Sequence, residues 1–202
     1  MSDTNTVART LHDVGLAAWF GGSLMGAVGL NGASQEVSDP TDRSRVANSG
    51  WGRWTPINAA AIAAHLVGGA QLAGANKGRL VGQRGVASTA GLKTALTAAA
   101  LGVTAYSRVL GQQVMEAETR QAQSAVGADG LSVAGATTPQ DNTPEEAASA
   151  QRKLSALQWV IPALTGGLLV LNAKMGEQQR ASEVSRGLLG RLTPDVRQRR
   201  AA

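Results

Sequence analysis

The chain contains no cysteine among its 202 residues, which excludes disulfides, thiolate nucleophiles and cysteine-based metal sites. Two histidines are too few for an all-histidine metal site within one chain. The motifs GxSxG, HExxH, GxxxxGK[ST] and a Rossmann glycine fingerprint after a strand are also absent. We therefore predict that the protein is not an enzyme and carries neither a cofactor nor a metal.

Aromatic and charged residues are both scarce, at 3% and 16% of the chain. This share of aromatic residues is low for a soluble protein, because aromatic side chains normally supply much of the buried area of its core. Charges are absent from, or sparse in, four windows: Val14–Leu30, Trp54–Asn76, Gly91–Gly111 and Leu154–Ala173. Each approaches the roughly 20 mostly apolar residues that a membrane-spanning helix needs.

These windows predict an all-α integral membrane bundle of four transmembrane helices, followed by a cytoplasmic amphipathic C-terminal helix. The third window is weaker because it holds Lys93 and Arg108, although long basic side chains near helix ends can reach the headgroups. Two or three spans with an interfacial helix, or a soluble bundle, are the alternatives. A soluble helix would carry outer charges every three or four residues. We interpret the first window as an uncleaved anchor rather than a signal peptide.

Basic residues predict the orientation in a bacterial cytoplasmic membrane. Eleven lie on the side of the two termini and seven on the other, so both termini should be cytoplasmic. The predicted segments are 1–13, a cytoplasmic N-terminal segment; 14–111, three helices with their connections; 112–153, an external, flexible, acidic loop; 154–173, the fourth helix; and 174–202, a basic cytoplasmic tail. Four aromatic residues are expected to form a belt at the outer membrane boundary: Trp51, Trp54, Tyr106 and Trp159.

A stripe of glycines marks one face of the first helix: Gly15, Gly22, Gly26 and Gly29. Such a stripe permits close approach of a neighbouring helix, and Gly22 and Gly26 have the GxxxG spacing. The partner can be another helix of this chain or a second copy.

The other helices each carry a polar stripe. Helix two aligns Asn58 with His65; helix three aligns Lys93, Thr97 and Thr104 with Arg108; helix four aligns Gln158, Thr165 and Asn172. Polar groups avoid lipid, so these stripes should face the bundle interior. They either form hydrogen bonds between helices or line a polar cavity for an ion, a proton or a small ligand.

His65 is the candidate ligand-binding or proton-carrying residue, because it is ionisable and should lie near mid-membrane. His12 should lie near the cytoplasmic edge, and this offset argues against a haem held by both histidines. A neutral, hydrogen-bonded histidine is the competing interpretation. Asp13 and Lys93 are expected to be neighbours on packed helices, since pairing would reduce the cost of the buried ammonium.

The tail predicts a short amphipathic helix on the inner membrane surface, with basic residues suited to anionic lipid: Arg191, Arg197, Arg199 and Arg200. No aromatic platform or DNA-binding motif accompanies them, so nucleic acid is not an expected partner. The expected partners are the lipid bilayer and either another membrane protein or a second copy of this chain.

The segment from Leu11 to Gly22, LHDVGLAAWFGG, resembles the opening of small bacterial multi-pass proteins of the CopD-like copper-resistance type. Those open a helix with His, followed by Trp-x-Gly-Gly. The resemblance covers about twelve residues and implies a metal-related role for His12. More broadly, the chain resembles multi-pass membrane proteins of high-GC actinobacteria.

Two functions follow from these features. The first is a structural or interaction role, as an accessory subunit of a membrane complex. The alternative is a small transporter or a ligand- or metal-binding membrane protein that uses the polar intramembrane face around His65.

Overall fold

The computed structural model describes residues 5–78, 86–124, 133–141 and 143–177. Its helices are α1 (Thr6–Met25), a π-helical turn (Gly26–Leu30), α2 (Asn31–Gln35), α3 (Pro40–Ala75), α4 (Val86–Ser124) and α5 (Glu145–Glu177). Within these residues there is no strand, only an isolated antiparallel bridge between Gly135 and Thr138. The predicted all-α class is confirmed. The predicted tail helix and its four arginines lie outside the described residues.

Local sequence signals account for the beginning of the two best-defined helices. The Asp39 side chain accepts a hydrogen bond from the Thr41 amide at 2.9 Å, and Pro40 occupies the first turn of α3, where its missing N–H is not needed. Helix α5 has Glu145 and Glu146 in its first turn. These carboxylates complement the positive end of the helix dipole.

Three helical segments are long and apolar enough to cross a membrane: Thr6–Gln35, Pro40–Ala75 and Glu145–Glu177. Helix α4 covers the third predicted window but does not reach the hydropathy of the other three. At 1.5 Å per residue, α3 and α4 are about 54 and 58 Å long, well beyond the roughly 30 Å of a bilayer's hydrocarbon core. Both helices therefore extend much further than their predicted spans.

Helices α1 and α5 form the centre of the bundle, and α3 and α4 flank them. Helix α1 packs along α3 and α5, and α4 packs along α5, while α3 and α4 scarcely touch each other. A buried cluster of Leu16, Trp19, Ala100 and Leu168 joins α1, α4 and α5. This arrangement leaves a cleft between α3 and α4.

The segment predicted to be a flexible loop contains helix and turns where the structure describes it. Helix α4 continues to Ser124, and residues 133–141 fold against the neighbouring helices. The Arg43 guanidinium donates to the Ala134 carbonyl at 3.2 Å, and the Gln151 amide donates to the Gly135 carbonyl at 3.2 Å. A small core lies beneath: Leu110, Val114, Ala117, Val133, Ala147 and Ala150.

The predicted loop, residues 112–153, thus contains helix and hydrogen-bonded turns among its described residues, and its flexibility stays a prediction. The small residues that made this stretch look like a linker fit closely between helices that extend past their predicted spans. We call this region, residues 31–50, 110–124 and 133–153, the outer lobe.

Candidate functional site

Glycines set the register of the antiparallel pair α1 and α3. A Cβ atom on Gly15 would lie 2.4 Å from the Ala61 carbonyl oxygen and 2.7 Å from the His65 nitrogen. A Cβ on Gly68 would lie 2.4 Å from the Ala8 carbonyl oxygen and 2.6 Å from the His12 nitrogen. The two backbones therefore touch at this end of the pair, where no side chain can intervene.

Further along α1 the glycines accommodate indole rings instead of backbone. A Cβ on Gly22 would meet the Trp54 ring at 1.8 Å, and one on Gly26 would meet the Trp51 ring at 2.1 Å. The two glycines of the GxxxG motif therefore pack against two tryptophan rings of the same chain. Gly29 is different, since its nearest side chain is Met25 of its own helical segment at 3.4 Å.

The aromatic belt expected from the sequence does not form as a set of four. Trp51 and Trp54 turn inward between α1 and α3, whereas Tyr106 and Trp159 are 46% and 51% exposed. The indole rings of Trp51 and Trp54 pack against Gly26 and Gly22 of α1, although tryptophan also favours a membrane boundary.

The close approach of α1 and α3 stacks the two histidines on each other. Their ring centroids are 4.0 Å apart and the rings are 17° from parallel. His12 Nδ1 donates to the His65 carbonyl at 2.8 Å, and His65 Nδ1 donates to the His12 carbonyl at 3.0 Å. A carbonyl oxygen only accepts, so each Nδ1 carries a proton and each Nε2 of a neutral ring is an acceptor.

The expected difference in depth between the two histidines is therefore wrong. The expectation assumed that the second span begins at Trp54, whereas α3 begins at Pro40. The position of α3 along α1 is set by the backbone contacts at Gly15 and Gly68. Stacked rings cannot bind one haem from opposite faces.

Lys93 and Asp13 both reach the histidine pair, but they do not form an ion pair with each other within the described residues. The Lys93 ammonium contacts His12 Nε2. The Asp13 carboxylate accepts a hydrogen bond from the Asn172 amide at 3.0 Å. A neutral imidazole and an amide thus separate the charges that the sequence suggested would pair.

These residues surround a cavity of about 530 Å³ in the cleft between α3 and α4. We call it the His–Lys cavity, and its polar lining is Arg9, His12, Asp13, His65, Asn76, Lys93, Thr94, Thr97 and Asn172. The histidines are 4% and 2% exposed. Its volume lies in the range of small-molecule sites.

Most of the remaining stripe residues are buried or half-buried, whereas Arg108 is exposed. A second cavity, further along the cleft, is lined by Asn58, Thr104, Arg108 and Gln158. Thr165 is fully buried and donates to the Ile161 carbonyl of its own helix at 2.8 Å. Hydrogen bonding and cavity lining, the two alternatives left by the sequence, therefore apply together. Thr104 and Gln158 each accept a hydrogen bond and also line this cavity.

Asn31 is an important residue that the sequence reasoning missed. It is 4% exposed; it accepts from Trp51 Nε1 and donates to Gln158 Oε1, each at 2.9 Å. It directly follows the π-helical turn, whose extra residue changes the face that the next residues present. The sequence offered one signal for it: Asn31 is an amide side chain directly after the mostly apolar window Val14–Leu30.

Glu118 is a second residue that the sequence reasoning missed. Its carboxylate accepts hydrogen bonds from Ser44 and, at 3.1 Å, from Asn48 Nδ2. Burial in the outer lobe raises the pKa of Glu118, and the two hydrogen bonds oppose that rise.

No known family model matches the chain, and comparison with curated proteins and with solved structures finds no match. The described residues contain no group of three or more His, Asp or Glu that could hold a metal ion. Both ring nitrogens of His12 are engaged, so a metal there would have to displace Lys93.

Proposed function

We propose that the chain is an integral membrane protein with four spans. These are the three apolar segments given above and, in addition, α4. On α4, Lys93 and Arg108 line the interior cavities, whereas Leu92, Tyr106 and Val109 are 52%, 46% and 48% exposed. Lys93 is half-buried, and Arg108 is exposed near the end of the predicted span, where a long basic side chain can reach the headgroups. An exposed face that is otherwise apolar at these positions suits lipid.

Ion pairs support the same placement. Those of the described residues lie in segments expected outside the bilayer: Arg45–Asp42, Arg120–Glu146 and Arg152–Glu145. The outer lobe then lies on the external face of a bacterial cytoplasmic membrane, and both termini lie on the cytoplasmic side.

The function that the geometry supports best is binding of a small anion in the His–Lys cavity, as a transporter or ligand-binding membrane protein. One observation carries this proposal: four helices bring two buried histidines, a lysine, an aspartate and an asparagine to one cavity. Ionisable groups are costly in a membrane and concentrate at ligand and ion pathways.

The donors in the cavity favour an anionic ligand. The Lys93 ammonium has three protons, of which His12 Nε2 engages one. His65 Nε2 is an acceptor in the same cavity. Arg9 also lines the cavity, whereas the Asp13 carboxylate accepts from the Asn172 amide. A solute with one carboxylate or phosphate group and one hydrogen-bond donor fits these partners.

The test is a thermal-stability screen of the purified protein against small carboxylates and phosphates. A ligand at 100 times its Kd stabilises the folded state by about 2.7 kcal/mol. We expect at least one anion to stabilise the wild type and the Lys77→Met control, whose lysine is exposed, and to lose its effect in Lys93→Met. If no anion stabilises the protein, or if both variants respond equally, the proposal is wrong.

An accessory role in a membrane complex is the second candidate, and the open cleft favours it. Because α3 and α4 scarcely touch, a helix of a partner or of a second copy can lie between them. Affinity purification in a mild detergent tests this role. Stoichiometric co-purification of another membrane protein supports it, and a monodisperse monomer without partners contradicts it.

A further inference from the structure

The second cavity lies between α1, α3, α4 and α5, on the outer-lobe side of the His–Lys cavity. Its volume is about 340 Å³, within the range of small-molecule sites. Three of the four tryptophans of the chain line it: Trp19, Trp51 and Trp54. We call it the Trp cavity.

The aromatic wall is built into α1. Because any Cβ on Gly22 or Gly26 would overlap the Trp54 or Trp51 ring, only glycine leaves room for these two indoles. Trp19 is fully buried, and its Nε1 donates to Thr104 Oγ1 at 3.2 Å. The wall is thus fixed by packing and hydrogen bonding, which gives a preformed surface for a flat apolar group.

Some polar groups beside this wall have no protein partner. Asn31 links Trp51 to Gln158, but Asn58 Oδ1 and Ser107 Oγ are buried without a hydrogen bond. Asn58 and Ser107 both line the cavity. Buried polar atoms nearly always have a hydrogen-bond partner. A ligand in the cavity could provide one for both atoms after small rotations of their side chains.

Charge decides which kind of ligand fits. Arg108 is the single charged side chain among the described residues that line the Trp cavity. Glu118 lies behind Ser44 and Asn48, whose side chains bind its carboxylate. Arg108 is itself exposed, so it is a cation that a ligand in the cavity can reach from the cavity edge. A guanidinium pairs best with a planar oxyanion such as a carboxylate.

We propose that the Trp cavity binds a small aromatic carboxylate. The ring of this ligand lies among the three indoles and its carboxylate pairs with Arg108. A hydrogen-bond donor on the ring, such as an amino or hydroxyl group, reaches Asn58 Oδ1 and Ser107 Oγ. This site is distinct from the His–Lys cavity, and the proposal does not depend on the function proposed for that cavity.

The experiment measures quenching of tryptophan emission by 4-nitrobenzoate in the full-length protein, purified in a nonionic detergent. A Trp159→Phe background removes the one tryptophan outside the cavity, which is 51% exposed. The neutral isostere 4-nitrobenzamide reports partitioning into the micelle. Arg108→Gln removes the cation, and Arg53→Gln is the matched control because Arg53 is exposed and outside the cavity.

We expect saturable quenching by 4-nitrobenzoate and at least tenfold weaker binding in Arg108→Gln, since a hydrogen bond to a charged group contributes about one to two decades of affinity. Arg53→Gln should bind as tightly as its parent. Equal quenching by the acid and the amide, or quenching that rises linearly without saturation, would overturn the proposal. This comparison of two probes needs no variant, so it decides the question even if Arg108→Gln does not fold.

Discussion

Replacing Gly15 by alanine tests whether backbone contact between α1 and α3 holds the histidine pair together. The new Cβ would lie 2.4 Å from the Ala61 carbonyl oxygen, and real Cβ atoms essentially never come closer than 3.0 Å. The helices must therefore separate by about 0.6 Å or more at this point. A gap of 0.5–1 Å forfeits roughly a quarter to a half of each neighbouring dispersion contact, and overpacking of this kind costs about 1–3 kcal/mol.

Gly21→Ala is the matched control. Gly21 lies on the same helix, and a Cβ there meets nothing within 4 Å. Both substitutions gain the same helix propensity, about 0.8–1 kcal/mol, so their difference isolates the contact. We expect Gly21→Ala to be neutral or stabilising and Gly15→Ala to be about 1–3 kcal/mol less stable than that control.

The assay is reversible unfolding of the detergent-solubilised protein by increasing SDS, followed by circular dichroism. Gly68→Ala should behave like Gly15→Ala, because its Cβ would lie 2.4 Å from the Ala8 carbonyl oxygen. Equal stability of Gly15→Ala and Gly21→Ala would refute the close backbone contact, and with it the register that stacks the histidines.

Three further predictions concern the outer lobe, the topology and the histidine pair. The raised pKa of Glu118 means that its contribution to stability is complete below its ordinary pKa of 4.5 and is lost as pH rises through the folded-state pKa. Glu118→Gln should therefore flatten the fall in unfolding free energy as pH rises above 4.5, and an unchanged pH profile would contradict this. A cysteine at the exposed Ser49 should react with an impermeant maleimide in intact cells, and one at the exposed Asn5 only after lysis; the reverse pattern would invert the topology. His65→Leu should lower the unfolding free energy by about 1–3 kcal/mol, because the buried His12 carbonyl loses its donor, whereas His65→Asn should cost less; equal unfolding midpoints in SDS would argue against a structural hydrogen bond.

Charge-poor windows in the sequence were sufficient to predict four helices but not their ends, and helical periodicity was sufficient to predict which residues share a face. Residues seven apart share a helix face, so Gln158, Thr165 and Asn172 had to lie together whatever the tertiary packing. The same holds for Lys93 and Thr97 at i, i+4. These inferences depend on geometry within one helix, which the chain itself determines.

Register between helices could not be predicted in this way. The depth of His65 depends on which residues of α1 face α3, and Gly15 and Gly68 decide this through contacts that are 46 to 60 residues apart in the chain. The sequence identified Gly15 as a packing residue but could not say against what it packs. The second span was assumed to begin at Trp54, 14 residues after the start of α3 at Pro40. This difference was enough to separate two histidines that are in fact stacked.

The tryptophans illustrate a competition that single-sequence reasoning cannot weigh. Trp51 and Trp54 suit a membrane boundary, as indoles generally do. They also suit the niches that Gly22 and Gly26 leave on α1. Both preferences are visible in the sequence, but only the pairing of α1 with α3 decides between them.

The route of hydrogen bonds through His12 explains why Lys93 and Asp13 need not pair. Helices α3 and α4 scarcely touch, yet the Lys93 ammonium of α4 donates to His12 of α1, and His12 donates in turn to the His65 carbonyl of α3. The Asp13 carboxylate remains exposed beside Asn172 and avoids the desolvation that a buried ion pair would require. An anion bound at Lys93 would compete with His12 for the ammonium, so ligand binding and the connection between the two flanking helices would be coupled through this one imidazole.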